Sequence, residues 1–150
     1  MTGEAGAGGT VERRTVVQSD GRAKAYRPLP EAERTAAIDA GLAAYDRGDF
    51  FEAHELLEPA WMGTDDLPER ALLQGLIKLA AADVHGVRSN PAGVARNLEG
   101  AIDRLHEAAA ADHTLPGLDL QALIAAAEHR LALARGGATT PPIPLHRSPR

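Results

Sequence analysis

Gly48-Asp49-Phe50-Phe51-Glu52-Ala53-His54-Glu55-Leu56-Leu57-Glu58-Pro59-Ala60-Trp61 is the stretch on which the fold turns. Gly48 suits the left-handed backbone that stops one helix. Asp49 suits the cap that starts the next, and Glu52 three residues on can complete a capping box. A connection this short makes the two flanking helices antiparallel neighbours. Upstream, Pro30 fits an early helical position and Ile38, Leu42 and Tyr45 form an apolar stripe, so a first helix is predicted from about Pro30 to Arg47. Downstream, Asp66 with Glu69 opens a third helix whose stripe is Leu73, Leu76/Ile77, Ala80 and Val84; it runs to His85 before Gly86. Asn90-Pro91 opens a fourth with Val94, Leu98, Ile102 and Leu105 as its buried face. Asp119 opens a fifth, which Gly136 closes.

The fold class read from this pattern is all-α, a compact antiparallel helical bundle of about five helices with irregular N- and C-terminal tails. Composition agrees. Of 150 residues 30 are Ala, and only five carry aromatic rings, so a β-sandwich or barrel lacks its usual material. The absence of Cys removes disulfide frameworks, thiolate metal sites and Cys catalysis. Residues 1–28, rich in Gly, read as a flexible tail, with Thr15-Val16-Val17 able to add a short extended piece against the domain. Residues 29–136 form the single helical domain. Residues 137–150, with Pro141, Pro142, Pro144 and Pro149, read as a Pro-rich extended arm.

Charge narrows the partners. The formal net charge is −5, but residues 31–135 hold nine bases against eighteen acids, a balance that repels phosphate backbones. No nucleic acid partner is expected, and no membrane one, because no apolar run approaches the ~20 residues that span a bilayer. The Gly-rich start lacks the apolar stretch of a secretory signal, so the expected location is cytoplasmic.

One constellation carries chemistry. At 100° per residue, His54, Glu58 and Trp61 fall within about 60° of one another on the second helix. An imidazole and a carboxylate one turn apart among apolar groups need partners, since leaving them buried and unpaired costs several kcal/mol. Catalytic zinc commonly takes three His or carboxylate ligands and keeps one open position. His54 and Glu58 could supply two ligands and His85 is the third candidate, with Trp61 as a roof over the pocket. A simple helical hairpin, however, puts His85 roughly 16 Å from the others at 1.5 Å per residue. The same hairpin sets Gln74 opposite His54 and Arg70 opposite Glu58, so a Gln74–His54 hydrogen bond with an Arg70–Glu58 ion pair would satisfy the polar groups without a metal.

Several separate blocks, in order, resemble a known family. Phe50 to Glu58, then Trp61, then Leu73-Gln74-Gly75-Leu76-Ile77-Lys78-Leu79-Ala80-Ala81, then His85 and Asn90-Pro91-Ala92-Gly93, are similar to domain-of-unknown-function family 309, whose hallmark is His-x-x-x-Glu-x-x-Trp/Tyr. The resemblance spans roughly residues 33–110. It implies an all-helical domain with no established activity and a hallmark suggested to bind metal, here His54, Glu58 and Trp61. Pro59 departs from the expected pattern: it frees the Glu55 carbonyl and disfavours helical geometry at Glu58, marking a point where the second helix would kink or end.

Weaker patterns lead nowhere specific. His54-Glu55-Leu56-Leu57-Glu58 lacks the second His of a zincin, and Asp103-Arg104-Leu105-His106 with Glu99 reads as a solvated stripe. Gly41, Tyr45, Gly48-Asp49-Phe50, Ala53, Leu57 and Ala60 echo a tetratricopeptide hairpin but without the further copies an array needs. The functional expectation is therefore an uncharacterised helical bundle, enzyme status unassigned and leaning to none, whose only implied cofactor is a divalent metal such as zinc. Its alternative is a non-enzymatic scaffold or self-associating interaction domain, with a homo-oligomer or a protein as partner, in which His54 and Glu58 join a structural network with Gln74 and Arg70.

Overall fold

A computed structural model describes residues 14–145, 147 and 148. Expectations for residues 1–13 lie outside the described residues. A small antiparallel hairpin, β1 (Arg14–Val17) and β2 (Ala23–Tyr26), precedes five helices: α1 (Glu31–Asp46), α2 (Phe50–Met62), α3 (Leu67–Val87), α4 (Pro91–Ala110) and α5 (Leu120–Arg135). Each helix packs on its successor, as the short connections require. The chain is the all-α bundle expected from its periodicity.

Local chemistry explains the boundaries. The side chains of Asp66, Asn90 and Asp119 accept the main-chain N–H of Glu69, Gly93 and Ala122, three residues on, at 3.1, 3.1 and 3.0 Å. Gly48, at φ +82°, ends α1 in a Schellman turn in which Asp49 N–H donates to the Ala44 carbonyl at 2.9 Å. Two details differ from expectation. Asp49 occupies the cap position of α2 without a side-chain hydrogen bond, and Glu52 turns outward to Arg47 at 3.3 Å. At the end of α5 the left-handed residue is Gly137 rather than Gly136.

The helices approach closely where a side chain is missing. A Cβ on Gly41 would sit 2.6 Å from Leu57, and one on Gly75 would sit 2.7 Å from Leu105. Glycine there lets α1 press on α2 and α3 on α4. Between them Leu42, Leu57, Leu72, Leu73, Leu76, Leu79, Leu98, Leu105 and Leu123 are fully buried. At about 25 cal/mol per Å² such burial is the dominant stabilising term.

Both segments read as tails pack against the bundle where they are described. β1 pairs with β2 in the register Arg14↔Tyr26 to Val17↔Ala23, and the turn is closed by Gln18 N–H to the Arg22 carbonyl at 2.9 Å with Gly21 at φ +81°. This includes the Thr15-Val16-Val17 extended piece that the sequence suggested. Arg27 N–H and Leu29 N–H then donate to the carbonyls of Met62 and Gly63, tying the linker to the end of α2. At the other end Ile143 and Leu145 are buried, because an extended chain turns alternate residues to one side and Pro144 between them faces out. The arm is also anchored by an Arg147–Asp46 ion pair and by Ser148 N–H to the Gly117 carbonyl.

Beneath that arm lies a buried ionic network. Arg130 of α5 pairs with Asp83 of α3, and the Tyr45 hydroxyl of α1 lies 2.7 Å from the other Asp83 oxygen and 2.9 Å from the Ile143 carbonyl. Arg130 Nε also donates to Thr140 Oγ1 at 2.8 Å. Burial pushes the Asp83 carboxyl up, with Arg130 opposing it, and pushes the Tyr45 hydroxyl up as well. No helix among the described residues is long and apolar enough to cross a membrane.

Candidate functional site

Whether α2 holds its geometry past Leu57 decides the site. It does: the helix runs unbroken through Pro59 to Met62. Glu55 and Pro59 both lie on the exposed side, where water can hydrate the carbonyl that proline leaves without a donor, while buried Leu57 and Ala60 hold the helix to its neighbours.

On this face the ligand atoms of His54, Glu55 and Glu58 lie within 4.8 Å of one another. His54 Nδ1 is 3.4 Å from Glu55 Oε2, with the imidazole about a third exposed and the Glu55 carboxylate more than half exposed. Phe51, one turn earlier, is 65% exposed and borders the group. The arrangement offers one nitrogen and up to two carboxylates on a single rigid helix, with the remaining side open to solvent. That donor set suits a divalent cation of the zinc type that keeps positions free for water or another ligand.

His54 and Glu58 are thus brought together as their spacing predicts, but the third member is Glu55. An i, i+1 neighbour lies 100° away on a helical wheel, and the wheel argument discards it. A flexible glutamate on an open face bridges that angle. His85 is not part of the group. Its ring lies over the first turn of α4, with Nδ1 3.3 Å from Asn90 Nδ2 and so close to Gly93 that a Cβ there would be 2.6 Å from it. Asn90 meanwhile caps α4 through Gly93 N–H. His85 and Asn90-Pro91-Ala92-Gly93 therefore build the α3–α4 turn, which accounts for that block of the pattern without a ligand.

Arg70 and Gln74 also lie elsewhere than the hairpin argument put them. Arg70 is 1% exposed and donates from Nη1 to the carbonyls of Trp61 and Thr64, each at 3.0 Å. Its Nε and Nη2 both donate to Gln18 Oε1, at 3.3 and 3.1 Å. Gln18 Nε2 donates in turn to Gln74 Oε1 at 3.2 Å. The expected Arg70–Glu58 and Gln74–His54 contacts are replaced by contacts to Gln18, a residue of the presumed tail. Trp61 faces this second cluster: its ring lies 5.0 Å from the Arg70 guanidinium, and its Nε1 is buried without an acceptor among the described residues. The indole belongs with Arg70 more than it roofs His54. Nothing in the sequence marks Gln18, which is 52 positions from Arg70.

The family model described as Domain of unknown function (DUF309) matches residues 38–97. Over those residues the chain is similar to that family. The match runs from the middle of α1 through α2 and α3 into α4, and so includes His54, Glu55 and Glu58 together with Trp61, Arg70, Gln74 and His85. It leaves out the hairpin, α5 and the C-terminal arm. No curated protein and no solved structure matches the chain.

Proposed function

We propose that the exposed face of α2 binds a divalent cation, zinc foremost, through His54, Glu55 and Glu58. The observation that carries this reading is the convergence of three ligand atoms within 4.8 Å on one helix. Zinc accepts imidazole nitrogen and carboxylate oxygen, and three protein ligands with an open side describe a site able to take a further ligand. When bound, the ion would supply Lewis acidity and a water of lowered pKa. The protein's part is to hold the imidazole and carboxylates on a helix whose buried side, Ala53, Leu57 and Ala60, cannot shift. Trp61 and Arg70 support the site at a distance by fixing the end of α2 to α3, while Gln74 holds Gln18 of the hairpin. His85 is not a ligand in this reading.

Metal analysis of tag-free protein tests it: about one zinc per chain is expected, lost in His54→Ala and kept in His85→Ala. Stoichiometry near zero in wild-type protein after zinc exposure and dialysis would contradict the reading.

A second reading, an interaction domain that binds another copy of itself, is favoured by the exposure of Phe51 beside the cluster and of Val87 at the end of α3, 65% and 77%. Light scattering separates the two: a metal-free dimer dissociated by Phe51→Ser supports self-association, and a zinc-loaded monomer opposes it.

A further inference from the structure

Arg70 presents an unbalanced account of charge. A guanidinium is always protonated, and when buried it is ordinarily matched by a carboxylate that takes both N–H groups of one edge. Here that edge, Nε and Nη2, converges on the single amide oxygen of Gln18. The other nitrogen is spent on two main-chain carbonyls. Among the described residues no carboxylate pairs with Arg70, although Asp65 acts on it from longer range. The side chain stands in the first turn of α3, where the helix dipole disfavours a cation, and the Trp61 carbonyl at the C-terminal end of α2 offsets this only in part, being a partial rather than a full negative charge. Beside it the Trp61 Nε1 donor has no acceptor. Donors are in excess, and the group they call for is an anion.

The residue that occupies this position comes from the piece of chain most easily removed. Gln18 lies at the hairpin turn, and the hairpin is held mainly by polar contacts: Ser19 to Glu107 at 2.6 Å, Asp20 to Arg104 at 2.9 Å and the Gln18 amide itself. Its strands are largely exposed. Such a segment opens at lower free energy than the helices beneath it, with Arg27–Leu29 as the hinge. Opening would bare Arg70 and release Arg104 from Asp20. The small void that both arginines line with Gln18, Gln74 and Glu107 is too tight to hold a water molecule while Gln18 is in place.

We infer that Arg70 and Gln74 form a carboxylate-binding site which Gln18 fills in cis, the hairpin amide standing in for the ligand's carboxylate until a carboxylate displaces it. Gln74, now an acceptor, becomes a donor when its terminal amide rotates by half a turn. Arg104 keeps Glu107 on Nη1 at 3.3 Å, and its Nη2, released from Asp20, takes a second carboxylate, so the ligand is a dicarboxylate or an acidic peptide segment. None of the three cation ligands of α2 takes part, and the site works with or without metal.

Trp61, the sole tryptophan, stacks on Arg70 and reports occupancy by its own fluorescence. The full chain at neutral pH is titrated with succinate, and separately with an end-blocked tetrapeptide of Asp and Glu, in wild type, Gln18→Ala and Gln18→Glu. Gln18→Ala should bind at least about tenfold more tightly than wild type, because a charge-assisted pair no longer competes with the amide. Gln18→Glu should bind neither probe and should melt at a higher temperature than wild type, having a permanent carboxylate on Arg70. Tighter succinate binding assigns a free dicarboxylate, and tighter peptide binding assigns a protein segment. Equal affinities in wild type and Gln18→Ala, or a Gln18→Glu protein that melts lower or binds as Gln18→Ala does, would overturn the inference. Folding of each variant is verified by far-ultraviolet circular dichroism, and Arg70→Lys, which keeps the charge but loses the fork, should weaken binding by about tenfold or more in the Gln18→Ala background.

Discussion

Among the described residues two arginines are buried, and they are treated in opposite ways. Arg130, 4% exposed, has Asp83 as a carboxylate partner, with Tyr45 and Thr140 completing its surroundings and the C-terminal arm sealing it. Arg70, 1% exposed, has an amide, two carbonyls and an indole face, and the N-terminal hairpin covers it. One is a closed electrostatic joint linking α1, α3 and α5. The other is charged and under-compensated beneath a removable cover. The first is built to stay shut; the second is built from the parts of a ligand site.

The comparison can be broken most forcefully at Asp83. Asp83→Asn leaves a buried guanidinium without its counter-charge and should cost about 3–5 kcal/mol in urea unfolding, whereas Asp83→Leu with Arg130→Met should restore much of the loss. If the double variant is as unstable as the single, Asp83 and Arg130 do not act as a pair.

Next in size is the seal. Ile143→Ala should cost about 2 kcal/mol if the arm covers Arg130 as a packed element, and almost nothing if the arm is only loosely placed. Gln18→Ala should cost about 1–2 kcal/mol through the unsatisfied donors on Arg70. Asn90→Ala should cost about 1 kcal/mol through the α4 cap. Smallest of all, His54→Ala should change stability without metal by less than about 0.5 kcal/mol, since the imidazole stands on an open face.

How much of this could be read from the residues follows from where the information lies. The five helices were legible because Asp66, Asn90 and Asp119 cap locally and Gly48 stops α1 within one turn, all short-range chemistry. The pairing of His54 with Glu58 was legible for the same reason. Glu55 was missed because a helical wheel ignores the reach of an exposed glutamate. In sequence the hairpin and the arm look like tails because their anchors are single residues, Gln18, Ile143 and Leu145, whose partners lie far along the chain and leave no periodic trace. Arg70 was placed opposite Glu58 by an idealised hairpin. In the folded chain its reach runs back to the Trp61 and Thr64 carbonyls at the α2–α3 turn, and Gln18 then occupies the free edge.

Calorimetric titration of tag-free protein with zinc, repeated in buffers of different ionisation enthalpy, reads affinity and proton release together. The cluster on α2 predicts one site per chain, weakened by about tenfold or more in His54→Ala and in Glu55→Gln and untouched in His85→Ala. Binding that survives the loss of both His54 and Glu55, or that vanishes with His85, would contradict it.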